Sequence, residues 1–206
     1  MGSTPATTAH NNRCRIVIDT CADLSPDIAA TLDVDILGFP YIVDGEEFTD
    51  DIWTSTTPHE FYERLRAGAK ASTSAVSLGR YLEFFQACAE EGTPTVYLCF
   101  TSALSSSYST ACQAAEQVRA EHPGFELYVV DNALPSAAAE LLALEAQRQR
   151  AAGLTAAQLV QWARRPRATF TATSPWRTSM PWRPRAHPAC GRAAVLQARH
   201  QAGAVV

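Results

Sequence analysis

Hydrophobic and polar positions fall along this chain in alternating blocks. Arg15-Ile16-Val17-Ile18-Asp19, Thr95 to Phe100 and Leu127-Tyr128-Val129-Val130-Asp131 are short apolar, β-branched runs closed by polar residues, the pattern of strands buried on both faces. Val34 to Phe39, ended by Pro40, predicts a further strand, and so does Tyr41-Ile42-Val43, with Asp44-Gly45 as its hairpin signal. Helical spacing takes over elsewhere. Ser77 caps a stripe of Leu78, Tyr81, Leu82, Phe85 and Cys88 that stops at Gly92, and Ser107 precedes Tyr108, Ala111, Cys112, Ala115 and Val118.

Capping signals place the remaining helices. Ser25-Pro26 opens a short helix to about Leu32, and Ser136 caps an Ala- and Leu-rich one reaching Ala152-Gly153. Thr57-Pro58-His59-Glu60 and Thr155-Ala156-Ala157-Gln158 are capping boxes. The first directs Phe61, Leu65 and Tyr62 inward before Gly68; the second runs to about Arg165. Lys70 to Ser77, including Ser72-Thr73-Ser74, is too polar for core and reads as a loop. Three strands each followed by a helix, at separations too long for hairpins, predict an α/β fold: a mostly parallel sheet with helices on both faces.

Residues 1–13 are short, polar and rich in Thr and Asn, which predicts a disordered leader without the apolar segment of a secretory signal. The α/β domain is expected over residues 14–166. Beyond Pro166 the pattern breaks: residues 167–206 carry Pro175, Pro181, Pro184 and Pro188, scattered Arg, Trp176 and Trp182, and no period until Ala193. A flexible basic tail, a nucleic-acid- or membrane-binding arm and an out-of-frame segment all fit that composition.

At 206 residues the chain is long enough to bury a core. A formal net charge of −4 argues against a nucleic-acid footprint, although ten Arg and no acid follow Glu145. Six cysteines without a C-x-x-C pair read as free thiols of a reducing compartment, and no apolar run reaches the ~20 residues of a transmembrane span. A cytoplasmic protein is expected.

Candidate chemistry concentrates at Thr101-Ser102-Ala103-Leu104-Ser105-Ser106-Ser107, between a buried strand and a helix. The carboxyl end of a strand followed by a helix N-terminus favours an anionic ligand. Three readings fit: an anion site, helix capping, or a nucleophile elbow. Five hydroxyls at 101, 102, 105, 106 and 107 exceed what a cap uses. No Gly flanks Ser105, and the candidate bases His59 and His122 sit at a helix start and in a surface loop, which disfavours the elbow. Neither G-x-x-x-x-G-K-[ST] nor G-x-G-x-x-G occurs, so these nucleotide sites are disfavoured. Asp19, Asp23 and Asp131 end strands, where such acids more often organise loops than bind a metal. Asp50-Asp51 reads as solvated, and Phe39, Tyr41, Phe84 and Phe85 as core from which an acyl pocket would draw.

In order along the chain, Ile16-Val17-Ile18-Asp19-Thr20-Cys21-Ala22-Asp23-Leu24 resembles the D-S-T-A-D-L opening of the DegV family of fatty-acid-binding proteins. Tyr41-Ile42-Val43-Asp44-Gly45 with Phe48-Thr49-Asp50, Phe61-Tyr62, Thr73-Ser74 (for T-S-Q-P-S), Thr101 to Tyr108 (for S-S-x-L-S-G-T-Y) and Val129-Val130-Asp131 (for V-V-D-S) extend the resemblance over roughly 15–165. It implies a two-domain α/β protein that buries one long-chain fatty acid and has neither cofactor, metal nor catalytic residues of its own. The carboxylate would be held by Thr73, Ser74, Ser105 and Ser106, with Asp19, Thr20 and Asp131 in supporting loops. The partner would be an ATP-binding subunit of a fatty acid kinase, to which the acyl carboxylate is presented for phosphorylation.

Beyond Thr20-Cys21 in place of Ser-Thr in that opening, the sequence departs from the family pattern at four places. Ala75-Val76 replaces Gln-Pro, Ser106-Ser107 replaces Gly-Thr, and Asn132 replaces Ser. Ser106 matters most if that position needs φ > 0. After Ala168-Thr169-Phe170-Thr171 the family's G-G-R segment and second domain do not follow, which points to truncation or a frameshift near 166–175. The expectation is a fatty-acid carrier; the alternatives are an independent serine hydrolase or transferase using Ser105 with His59, and a truncated chain that no longer binds lipid.

Overall fold

The computed structural model describes residues 14–165, so the expected leader and the tail with its reading frame lie outside the described residues. Strands β1 (Arg15–Asp19), β2 (Asp35–Leu37), β3 (Pro40–Val43), β4 (Glu46–Thr49), β5 (Ala71–Thr73), β6 (Thr95–Cys99) and β7 (Leu127–Asp131) alternate with helices α1 (Pro26–Thr31), α2 (Pro58–Arg66), α3 (Leu78–Glu91), α4 (Ser107–Glu121), α5 (Ala137–Ala151) and α6 (Ala156–Ala163). Two sheets result. One is parallel in the order β2-β1-β6-β7; the other is antiparallel in the order β4-β3-β5.

Strand side chains alternate between faces, so each apolar run feeds two cores. Ile16, Ile18, Leu98 and Val130 pack with Leu142 and Ala146 of α5 and Leu159 of α6. On the other face Val17, Tyr97 and Val129 meet Tyr81 and Phe85 of α3 and Ala111, Ala115 and Val118 of α4. The start of β1 is clamped by Arg150, whose buried guanidinium donates to the Cys14 carbonyl at 3.2 Å and to the Asp33 carboxylate at 2.7 Å. The mostly parallel sheet with helices on both faces is therefore as the sequence predicts.

The small antiparallel sheet brings the differences. The polar stretch read as a loop contains β5, an exposed strand pairing Tyr41 with Thr73; lacking burial, it has no hydrophobic period to betray it. Pro40 opens β3 rather than merely ending β2, at a first-residue position where proline is tolerated. Gly38 is required between them, because a Cβ there would collide with the Asp50 carbonyl. Both capping boxes form, but Tyr62 is 53% exposed, since α2 lies on the rim with only Phe61 and Leu65 half-buried. Ser136 precedes α5 without capping it: its backbone is left-handed, and its N–H donates instead to the Cys21 carbonyl at 3.1 Å. Helix α6 stops at Ala163, just short of the expected end.

Candidate functional site

The loops after β1, β6 and β7 are tied together by carboxylates. Asp19, at the end of β1 and 2% exposed, accepts the Phe100 N–H at 2.6 Å and the Tyr97 hydroxyl at 3.2 Å. Burial pushes its carboxyl up to about 6, against the opposing pull of those hydrogen bonds. Asp131 accepts the Ser102 hydroxyl, the Ser102 N–H at 3.3 Å and the Ala133 N–H at 3.0 Å, an Asx-type arrangement that fixes the hydroxyl-rich turn. Thr20 accepts the Phe39 N–H at 3.1 Å, holding the link into β3. Asp19 and Asp131 thus brace the turn from behind, whereas Thr20 lines the cavity in front of it.

Within the turn, the buried Thr101 accepts the N–H groups of Leu104 and Ser105 on its carbonyl and that of Ala103 on its hydroxyl. The Ser105 hydroxyl accepts the Ser107 N–H at 3.1 Å and donates to the Ser107 hydroxyl at 2.9 Å, so it caps α4 from one position before the cap residue. Ser106 itself makes no side-chain cap bond. Its φ is −75°, an ordinary right-handed value, so serine at this position carries none of the strain that a left-handed backbone would impose.

A cavity of about 680 Å³ opens between this turn and the antiparallel sheet, within the roughly 300–1,000 Å³ common for ligand pockets. Thr73, Ser74, Ser105 and Ser106 all line it. The first two arrive because β5 pairs with β3, with the Ser74 N–H donating to the Pro40 carbonyl at 3.3 Å. Opposite these hydroxyls stand Phe39, Tyr41, Trp53, Phe61, Phe100 and Leu104. Tyr41 and Trp53 both pack edge-on against Phe61, with centroids 6.0 Å away in each pair, and Phe39 packs likewise on Phe100 at 6.1 Å.

Trp53 was not among the sequence candidates. It sits in a left-handed backbone pair with Ile52, φ 59° and 57°, imposed by the two acids before it. Asp50 accepts the Ile52 N–H at 3.0 Å, and Asp51 accepts those of Thr54 and Ser55, each at 3.0 Å. Asp50-Asp51, expected to be merely solvated, folds this loop and lines the cavity. The D-D-x-x-T-S spacing was the available signal. Phe39 and Tyr41, read as core, are half-buried wall residues, while Phe85 is fully buried.

Ser105 and His59 are not brought together. His59 is exposed on the first turn of α2, and no histidine lines the cavity beside Ser105. Among the described residues no group of three or more His, Cys, Asp or Glu side chains is placed to hold a metal, and no helix is long and apolar enough to cross a membrane. Among the described residues, Cys14, Cys21, Cys88, Cys99 and Cys112 form no disulfide.

Comparison with known proteins places this architecture. A DegV family model, described as uncharacterised, matches residues 13–173. A DegV domain-containing protein of Clostridium perfringens is 31% identical over 147 residues, covering 71% of this chain and 50% of that one. The structure superposes on a stearic-acid-binding protein from Eubacterium ventriosum with a TM-score of 0.64 and 27% identity, over 73% of this chain and 52% of the other. A DegV family protein from Thermus thermophilus described as binding fatty acid gives a TM-score of 0.61 at 25% identity, with the same coverage. The chain spans about half the length of these relatives. With the family model extending over more than half of its residues, the chain belongs to the DegV family.

Proposed function

We propose that this protein binds one long-chain fatty acid, with its carboxylate on Thr73, Ser74, Ser105 and Ser106 and its acyl chain against the aromatic wall. The observation that carries this reading is the convergence of hydroxyls from two separate turns on one cavity whose other side is apolar. A carboxylate takes several charge-assisted hydrogen bonds from hydroxyls and gains from the N-terminus of the 15-residue α4. Each buried CH₂ adds about 0.8 kcal/mol. Affinity then comes from the chain and orientation from the turn. The DegV relatives named above, described as binding stearic acid and fatty acid, support the same ligand class.

The protein is read as a carrier without chemistry of its own. Ser72, Thr73 and Ser106 are exposed, so the carboxylate end lies at the cavity mouth, where a separate ATP-binding kinase subunit can reach it for phosphorylation. Organic extraction of the purified protein followed by mass spectrometry tests the ligand: about one fatty acid per chain is expected. Absence of fatty acid from the extract, together with no uptake of added oleate by the protein, overturns the proposal.

A further inference from the structure

The cavity wall carries two polar groups, Thr20 and Asp50, that neither a carboxylate nor a plain acyl chain satisfies. Thr20 is only 7% exposed; its hydroxyl accepts the Phe39 N–H at 3.1 Å, and among the described residues no acceptor meets the hydroxyl's own hydrogen. Asp50 stands beside it. The Asp50 N–H donates to the Phe39 carbonyl at 2.8 Å, so both residues bond the backbone of the same cavity-lining residue. The half-buried Asp50 carboxylate uses Oδ1 to accept the Ile52 N–H at 3.0 Å, and among the described residues no donor meets Oδ2.

The two groups have complementary needs: Thr20 has a hydrogen to donate and Asp50 a lone pair to offer. A ligand carboxylate has no hydrogen to give and meets like charge from Asp50, with Asp51 also on the wall. Methylenes strip water from both groups and return no hydrogen bond. A hydroxyl, with one hydrogen and two lone pairs, answers both at once.

The sheet sets where along the ligand that hydroxyl lies. Phe48 and Thr73 each pair with Tyr41, so the three share one face, and Asp50, two residues beyond Phe48, returns to it. Asp50 is thus two strand spacings across and two residues along from Thr73, about 12 Å, which is about half the extended length of an eighteen-carbon acid. We propose that Thr20 and Asp50 form a hydroxyl subsite, and that the preferred ligand is a long-chain fatty acid hydroxylated near mid-chain. Its hydroxyl accepts the Thr20 hydrogen and donates its own to Asp50 Oδ2. This deepens the fatty-acid reading above and rests on it.

Competition tests the subsite. The delipidated full chain is offered an excess of an equimolar mixture of stearate, 10-hydroxystearate and 10-oxostearate, and the bound acids are extracted and quantified by mass spectrometry. The wild type is expected to enrich the hydroxy acid about tenfold over each of the others, because the plain chain leaves both groups unpaired and the ketone, an acceptor only, faces the Asp50 lone pair. In Asp50→Asn the side-chain oxygen still accepts the Ile52 N–H, which turns the amide NH₂ to where Oδ2 stood. That variant now donates, and 10-oxostearate is expected to overtake 10-hydroxystearate. Thr20→Val, which serves should Asp50→Asn fail to fold, is expected to cut the enrichment of hydroxy acid over stearate to about threefold or less. Equal capture of stearate and 10-hydroxystearate by the wild type overturns the proposal, as does an unchanged lead of hydroxy over oxo acid in Asp50→Asn or of hydroxy acid over stearate in Thr20→Val. Capture of none of the three acids by the wild type overturns the fatty-acid reading and this subsite with it.

Discussion

Every residue of β1 and β6 is buried, whereas β5 is exposed along its whole length and β4 contributes only the half-buried Phe48. These two regions face each other across one cavity and are held by different forces. The parallel sheet is sealed by two apolar cores and by carboxylates that bind backbone N–H groups across its loops, so its hydroxyl turn is fixed in place. The antiparallel sheet rests on a half-buried aromatic cluster around Phe61 and on an Asx-turned loop at Asp50-Asp51. A rigid half suits recognition of a small charged head, which requires geometry, while a lightly buried half suits an acyl chain, which requires only apolar area.

The largest effect that separates the halves is on stability. Phe85→Ala, in the sealed core, is expected to lower the unfolding free energy by about 3–5 kcal/mol in a denaturant titration, and Phe61→Ala by only about 1 kcal/mol while weakening fatty-acid affinity. Equal stability losses at the two sites break the contrast.

Next comes Asp19. Its folded carboxyl, raised from 3.8 to about 6 by burial, holds its proton more tightly than the unfolded chain does. The stability this confers is present below about pH 4 and lost as pH rises through about 6. Between pH 4 and 7 the wild type is therefore expected to lose about 2 kcal/mol relative to Asp19→Asn, read from paired unfolding curves. A pH-independent difference contradicts the buried carboxylate.

The smallest effect is expected at Ser106. Because its φ is −75° and its side chain caps nothing, Ser106→Gly should change stability by no more than a few tenths of a kcal/mol and fatty-acid affinity by less than about twofold. A large gain in affinity would show that the turn needs glycine after all.

Legibility follows the same division. The strands β1, β6 and β7 and helices α3 and α4 were readable because burial on both faces, or along one stripe, writes a period into the sequence. The hydroxyl turn was readable because it carries more side-chain donors than a cap can use. Strand β5 was not, since an exposed strand of a small sheet is selected for pairing rather than burial and leaves only polar residues behind. Trp53 was missed for a related reason: its place in the wall depends on a left-handed loop set by Asp50 and Asp51, a local hydrogen-bond device with no hydrophobic signature. The direction of concern at Ser106 was reasonable from glycine's usual role, and the right-handed backbone there removes it.

The central claim is that hydroxyls from the two halves hold a carboxylate. Its most direct measurement compares a long-chain fatty acid with its methyl ester, which keeps the acyl chain and removes the charge, in the wild type and in the double variant Thr73→Val, Ser105→Ala. The wild type is expected to prefer the acid by roughly 10- to 100-fold, the worth of one charged hydrogen bond or a little more, and the double variant to lose most of that preference. Equal binding of acid and ester by the wild type, or an undiminished preference in the double variant, contradicts the account.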